Sequence, residues 1–156
     1  MESIITKNLE RLGLELPTPP SAKGNYLPYV TAGNLVYLSG TLPTVGPELM
    51  FSGKVGNEQT IESAYDAAAL CLLNALANLK TTSNGFKSLK QIVHLAGYVN
   101  GVDGFADSPK VINGASDRLV ELLGEAGRHS RLAVSVNGLP LNATVEIHLV
   151  AELSTT

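Results

Sequence analysis

Three features of the sequence predict an α+β fold, a sheet with two main helices packed on one of its faces. Two long segments carry apolar residues at spacings of three and four, the period of an amphipathic helix. The last two segments alternate with period two, and near the N-terminus a Gly-Asn pair sits between two β-prone runs.

Taken in order, Ile5, Leu9, Leu12 and Leu16 recur at helical spacing, so a short amphipathic helix is expected, stopped by "PTPP" at Pro17–Pro20. Tyr29 to Ala32 and Leu35 to Ser39 flank Gly33-Asn34 and predict a β-hairpin. The Gly- and Pro-rich stretch from Pro43 to Gly56 reads as a loop. Ile61, Ala64, Ala68, Cys71, Leu72, Ala75 and Leu79 form a helical stripe of mostly small residues, able to lie close on a sheet, and Cys71 on that stripe reads as a core residue. "QIVHLAGYV", Gln91 to Val99, is apolar on both parities, as expected of a strand covered on both faces. Glycine-rich "GYVNGVDG", Gly97 to Gly104, lacks the spacing of a dinucleotide or phosphate loop and reads as a plain loop. Ser108-Pro109 predicts a helix start, with Ser as N-cap and Pro at the first helical position, and Gly124 and Gly127 end that helix. In the closing strands Leu132, Val134 and Val136 share one face, opposite Arg131, Ala133 and Ser135. Val145, Ile147, Leu149 and Ala151 share one face of the other, opposite Glu146 and His148.

The length fits one domain over residues 1–156, with 1–20 as an N-terminal helical extension. Hydrophobic residues make up 44% and charged residues 16%, few charges for the surface of a free monomer, so a face buried against further subunits is expected. The formal net charge of -3, the singly scattered Lys and Arg, and aromatics at 5% disfavour nucleic-acid binding. One cysteine rules out an internal disulfide and a Cys-based zinc cluster, and suits a reducing compartment. The N-terminus carries Glu2, Lys7, Glu10 and Arg11 among its apolar residues, unlike a signal peptide, and no apolar run reaches the ~18 residues of a membrane span. A cytoplasmic protein is expected.

His94, His129 and His148 share no metal-binding spacing, so no metal is expected and each reads as structural or superficial. Arg131 stands apart. An always-charged guanidinium at the start of an apolar strand needs an anion or water: it either snorkels to solvent or grips a bidentate carboxylate ligand. The pattern alone leaves both readings open.

"NYLPYVTAGNLVYLSGTLP" and "NGASDRLVELLGEAGRHSRLAVSVNGLPLNATVEIHLVAEL", with the helix between them, resemble the RidA/YjgF family of reactive-intermediate deaminases, also labelled endoribonuclease L-PSP. Gly33-Asn34, Ser39-Gly40, Pro43, Arg131, Leu139-Pro140 and Val145-Glu146 match in order from Tyr26 to Leu153. The resemblance implies a chorismate-mutase-like subunit in a homotrimer whose sheets form a barrel, with ligand clefts between subunits. It implies hydrolysis of a 2-imino or enamine acid, such as 2-aminoacrylate, to a 2-keto acid and ammonia, with no metal or organic cofactor. In that implied site Arg131 grips the substrate carboxylate, Glu146 orients or deprotonates the water, and Tyr26, Ser39 and Asn113 line the cleft.

This chain departs from the family pattern at the rim of that site. The usual cysteine two residues after the arginine is Ala133, the arginine before Leu-Pro is Gly138, and "PYSQA" is replaced by "NYLPYV". The segment Phe105 to Asn113 and the N-terminal helix are longer than usual, which marks a divergent branch. A non-catalytic binder of small carboxylates, or a regulatory protein, is therefore the alternative to the deaminase. A ribonuclease stands third, opposed by the negative charge and the lack of a His pair.

Overall fold

The computed structural model describes residues 1–19 and 24–154. Helix α1 spans Glu2–Leu12, and Gly13 ends it in the left-handed conformation, with φ 63°. The expected stop at the prolines is thus corrected: a glycine free to adopt positive φ ends the helix before Leu16 is reached. Of that Pro-rich connection, Pro20 lies outside the described residues.

β1 (Tyr29–Ala32) and β2 (Leu35–Leu38) form the expected hairpin around Gly33-Asn34. Two short strands, β3 (Thr44–Val45) and β4 (Glu48–Leu49), pair within the stretch expected to be a plain loop; strands of two residues leave no periodicity to read. Helix α2 runs Ile61–Thr82. It opens on a capping box, in which the Thr60 hydroxyl accepts from the Ser63 N–H at 3.1 Å and the Ser63 hydroxyl accepts from the Thr60 N–H at 3.0 Å. β5 spans Leu89–Asn100, so Gly97 belongs to a strand and not to a loop. A Cβ on Gly97 would run into the side chain of Ile112, and glycine there lets the next helix settle on the sheet.

That helix, α3, spans Ser108–Leu123 with Pro109 in its first turn. Its N-cap is Asp107 and no side chain caps it, a correction to the Ser108 assignment: Ser108 is already helical and buried. Gly124 ends α3, and a 3-10 turn over Gly124–Gly127 leads to β6 (Ser130–Val136) and then β7 (Val145–Leu153).

The five long strands form one mixed sheet in the order β1-β2-β7-β5-β6, with β5 and β6 parallel across the α3 connection and the other pairs antiparallel. α2 and α3 pack on each other and on one face. Gly114 of α3 leaves no room for a Cβ against the Tyr65 carbonyl of α2, so the two helix backbones are in close approach. The core lies between these helices and the row Val36, Leu95, Val99, Val145, Ile147, Leu149 and Ala151, all fully buried.

Cross-strand register shows what parity could not. Arg131, Leu95 and Leu149 stand in one row, and Ala133, Gly97 and Ile147 in the next, so Arg131 and Ala133 look toward the helices. Leu132, Val134 and Val136 look the other way, in rows with Ala96 and His148 and with Tyr98 and Glu146. β5 therefore has helices on one face only; the other face carries no helix and exposes Val30, Tyr37 and Leu132 at 55%, 43% and 44%.

Candidate functional site

The expected site residues fall into two groups. The first sits on the β6 edge under α3. Arg131 is exposed, and its Nη1 donates to Asn113 Oδ1 at 2.8 Å and to Ser116 Oγ at 3.2 Å. Asn113 and Ser116 lie three residues apart on α3 and so on one side of the helix. Among the described residues no carboxylate lies within salt-bridge distance of Arg131, and its Nε and Nη2 hydrogens meet no protein acceptor. The guanidinium is held at one corner and leaves the rest of its donor fork open.

The same group contains two residues the sequence reading did not place in a site. His129 Nε2 lies 2.9 Å from Ser116 Oγ, and His129 Nδ1 lies 2.6 Å from the Gly127 carbonyl oxygen. Burial, chiefly, and then the neighbouring Arg131 and His94 lower the His129 pKa below the ordinary histidine value, despite the opposing pull of the Gly127 carbonyl. The spacing of Ser116 from Asn113 was a usable signal; the arrival of His129 beside them depends on the 3-10 turn and has none in the sequence.

The second group gathers where β2 ends. Thr41 bridges to Ile147 by two backbone hydrogen bonds, 2.8 and 3.1 Å, and its hydroxyl donates to the Cys71 carbonyl at 2.9 Å. Buried Asn74 donates to the carbonyls of Leu42 and Thr44, pinning the following chain to α2. These bonds bring Gly40 against the carboxylate of Glu146, leaving no space for a Cβ on Gly40. Tyr26, Ser39 and Gly40 line a cavity of about 320 Å³ together with Pro28, Thr41 and Leu141. The Ser39 hydroxyl donates to the Leu27 carbonyl at 2.6 Å, which ties the Tyr26 segment to β2 and leaves the Ser39 oxygen as an acceptor. Glu146 is half-buried, and that burial raises its pKa above the usual carboxylate value.

One subunit does not bring the two groups together. β5 separates β6 from β7, about 10 Å across the sheet, Arg131 stands three residues along β6 from the Glu146 row, and the two side chains leave opposite faces. Both residues oppose the aliphatic faces of their strands, as parity indicated. The aliphatic face of β7 meets the helices, however, and that of β6 turns away from them.

Cys71 is fully buried in α2 and its thiol is pushed well up by desolvation, with the Glu146 charge adding to the effect, so it is a packing residue. Among the described residues no cluster of three or more His, Cys, Asp or Glu is placed to hold a metal ion, and no helix is long and apolar enough to cross a membrane.

A mixed sheet covered on one face by two helices, with a cationic β6 edge and a carboxylate beside the cavity at the end of β2, is the architecture of a chorismate-mutase-like α+β protein. The family model described as YjgF/chorismate mutase-like, putative endoribonuclease, matches residues 6–153, and the chain belongs to this RidA/YjgF family. It is 34% identical to Protein TCP17 of Trypanosoma cruzi over 151 residues, 96% of this chain and 94% of that one. Among solved structures, the protein Atu1372 of Agrobacterium tumefaciens is 39% identical with a TM-score of 0.91, covering 98% of this chain and 94% of that one. RidA of the Antarctic bacterium Psychrobacter sp. is 26% identical with a TM-score of 0.60, covering 86% and 94%.

Proposed function

We propose that the protein hydrolyses reactive 2-imino and enamine acids to 2-keto acids and ammonia, at sites completed by two copies of the chain in a homotrimer. The observation that carries this reading is the open fork of Arg131: a fixed guanidinium with no acidic partner among the described residues suits a small carboxylate.

The carboxylate of the substrate accepts from Arg131, which aims the adjacent C=N carbon. An enamine first takes a proton at carbon to become the imine. Glu146 of the neighbouring copy holds a water and takes its proton as the C–O bond forms. Glu146 passes that proton to the imine nitrogen, giving the carbinolamine. It then takes the hydroxyl proton and delivers it to the amino group, so that the C–N bond breaks, ammonia leaves and the C=O of the keto acid forms. An imine carbon is already electrophilic, so positioning and one proton acceptor supply the help required. Burial raises the Glu146 pKa, which makes its carboxylate a better proton acceptor than an exposed one. Tyr26 and Ser39 line the cavity that receives the substrate side chain, beside Gly40 and Glu146.

Two features support a second copy as the missing half. Arg131 and Glu146 leave opposite faces of one sheet, and the face without helices exposes Val30, Tyr37 and Leu132. The test is keto-acid release from 2-aminoacrylate generated in place by a dehydratase. Acceleration by the wild-type protein and none by Arg131→Ala is expected; no acceleration, together with pyruvate binding that needs Arg131, would make the protein a carboxylate binder.

A further inference from the structure

The hydrogen bonds behind Arg131 run in one direction only. The Gly127 carbonyl has no hydrogen to give, so His129 Nδ1 carries the proton across the 2.6 Å contact. His129 Nε2 is then a bare acceptor, and Ser116 Oγ must donate to it over 2.9 Å. With its hydrogen turned toward the imidazole, Ser116 presents lone pairs to Arg131 Nη1 at 3.2 Å. Asn113 supplies the second acceptor on the same nitrogen.

We propose that His129 is a positioning residue for Arg131, acting through Ser116: the neutral Nδ1–H imidazole sets the direction of the Ser116 hydroxyl and so the orientation of the guanidinium. This rests on reading Arg131 as the carboxylate clamp. A protonated His129 would carry hydrogens on both ring nitrogens. Its Nε2 would become a donor, Ser116 would no longer be held as described, and a second cation would stand one hydroxyl away from Arg131. The clamp therefore loosens as His129 gains its proton.

The titratable and charged groups that bear on His129 are Arg131 on β6 and His94 on β5, both of which oppose its protonation. The charges of the flanking elements are otherwise engaged: Arg128 with Glu125 on the 3-10 turn, Arg118 with Glu121 on α3, and Asp117 with the Tyr65 hydroxyl. No carboxylate is salt-bridged to His129 among the described residues, and the Gly127 carbonyl, which favours the imidazolium, is outweighed by burial and the neighbouring groups.

The probe is pyruvate, which carries the carboxylate and does not turn over, titrated by calorimetry into the full-length protein from pH 5 to 8. Ser116→Ala and His129→Phe are each expected to weaken pyruvate roughly tenfold at neutral pH, with the double variant no worse than either single, because one chain of bonds is broken in all three. His129→Gln, whose amide oxygen can accept from Ser116, should recover most of that affinity and lack the weakening below the ordinary histidine range that is expected of wild type. Thermal melts confirm that each variant is folded. Wild-type affinity in both Ser116→Ala and His129→Phe overturns the proposal. Independently of any ligand, the imidazole nitrogen shifts of His129 report the tautomer: a proton on Nδ1 at neutral pH is expected, and a proton on Nε2 overturns the proposal. Pyruvate binding unaffected by Arg131→Ala would instead sink the clamp reading, while the nitrogen shifts still decide the hydrogen-bond chain.

Discussion

The β6 edge and the end of β2 solve opposite electrostatic problems. At the edge, an exposed cation is steered by neutral partners, Asn113 and Ser116, that fix one nitrogen and neutralise none of its charge. At the β2 end, a carboxylate is half-buried against Gly40, and desolvation pushes its pKa up. The first arrangement keeps a charge available for an anionic ligand, and the second makes a proton cheap to accept and to return. On the proposed function, binding and proton transfer fall to different parts of the sheet, so neither part is a site by itself.

The contrast fails if both ends affect the same kinetic constant. Glu146→Gln keeps the shape and removes the proton acceptor. We expect kcat to fall by about 100- to 10,000-fold with KM little changed. Arg131→Ala removes two charge-assisted bonds to the substrate, and kcat/KM should fall roughly 100- to 1000-fold, chiefly through KM. Arg131→Lys keeps the charge without the fork and should recover only part of that loss. Steady-state rates on generated 2-aminoacrylate read all three.

A structural substitution sharpens the same comparison. Gly114→Ala forces a Cβ into the Tyr65 carbonyl of α2 and lifts α3, which carries Asn113 and Ser116. It should cost about 1–3 kcal/mol of stability in chemical denaturation, and the soluble fraction should lose affinity for pyruvate. The smallest effect is on pH. Because burial raises the Glu146 pKa in the folded state, ionising it opposes folding: its contribution to stability is present at low pH and is lost as pH rises through the raised value. Glu146→Gln should therefore melt slightly above wild type at neutral pH, and the gap should close below the ordinary carboxylate range.

Much of this architecture was legible in advance because local signals agreed with the tertiary fold. Gly33-Asn34 turned the hairpin, the alanine stripe of α2 packed on the sheet, and Gly124 closed α3. What was not legible depended on contacts distant in sequence. Parity showed which residues of β6 share a face, but which face meets the helices follows from its pairing with β5, whose Gly97 lies under Ile112. Arg131 and Glu146 were singled out as charges within apolar strands, and their family positions suggested roles. That they leave opposite faces of the sheet required the register. The partners of Arg131 stayed hidden for the same reason: His129 is an ordinary histidine until the 3-10 turn carries it to Ser116.

The central claim, that one site takes Arg131 from one copy and Glu146 from another, is tested most directly by complementation. At substrate concentrations below the wild-type KM, Arg131→Ala and Glu146→Gln are each expected to be nearly inactive. Co-expressed in equal amounts and allowed to assemble at random, they should recover about a quarter of the wild-type rate per subunit, since one junction in four joins an intact arginine to an intact glutamate. No recovery in an assembly shown to contain both chains would contradict the account and return both residues to a single subunit.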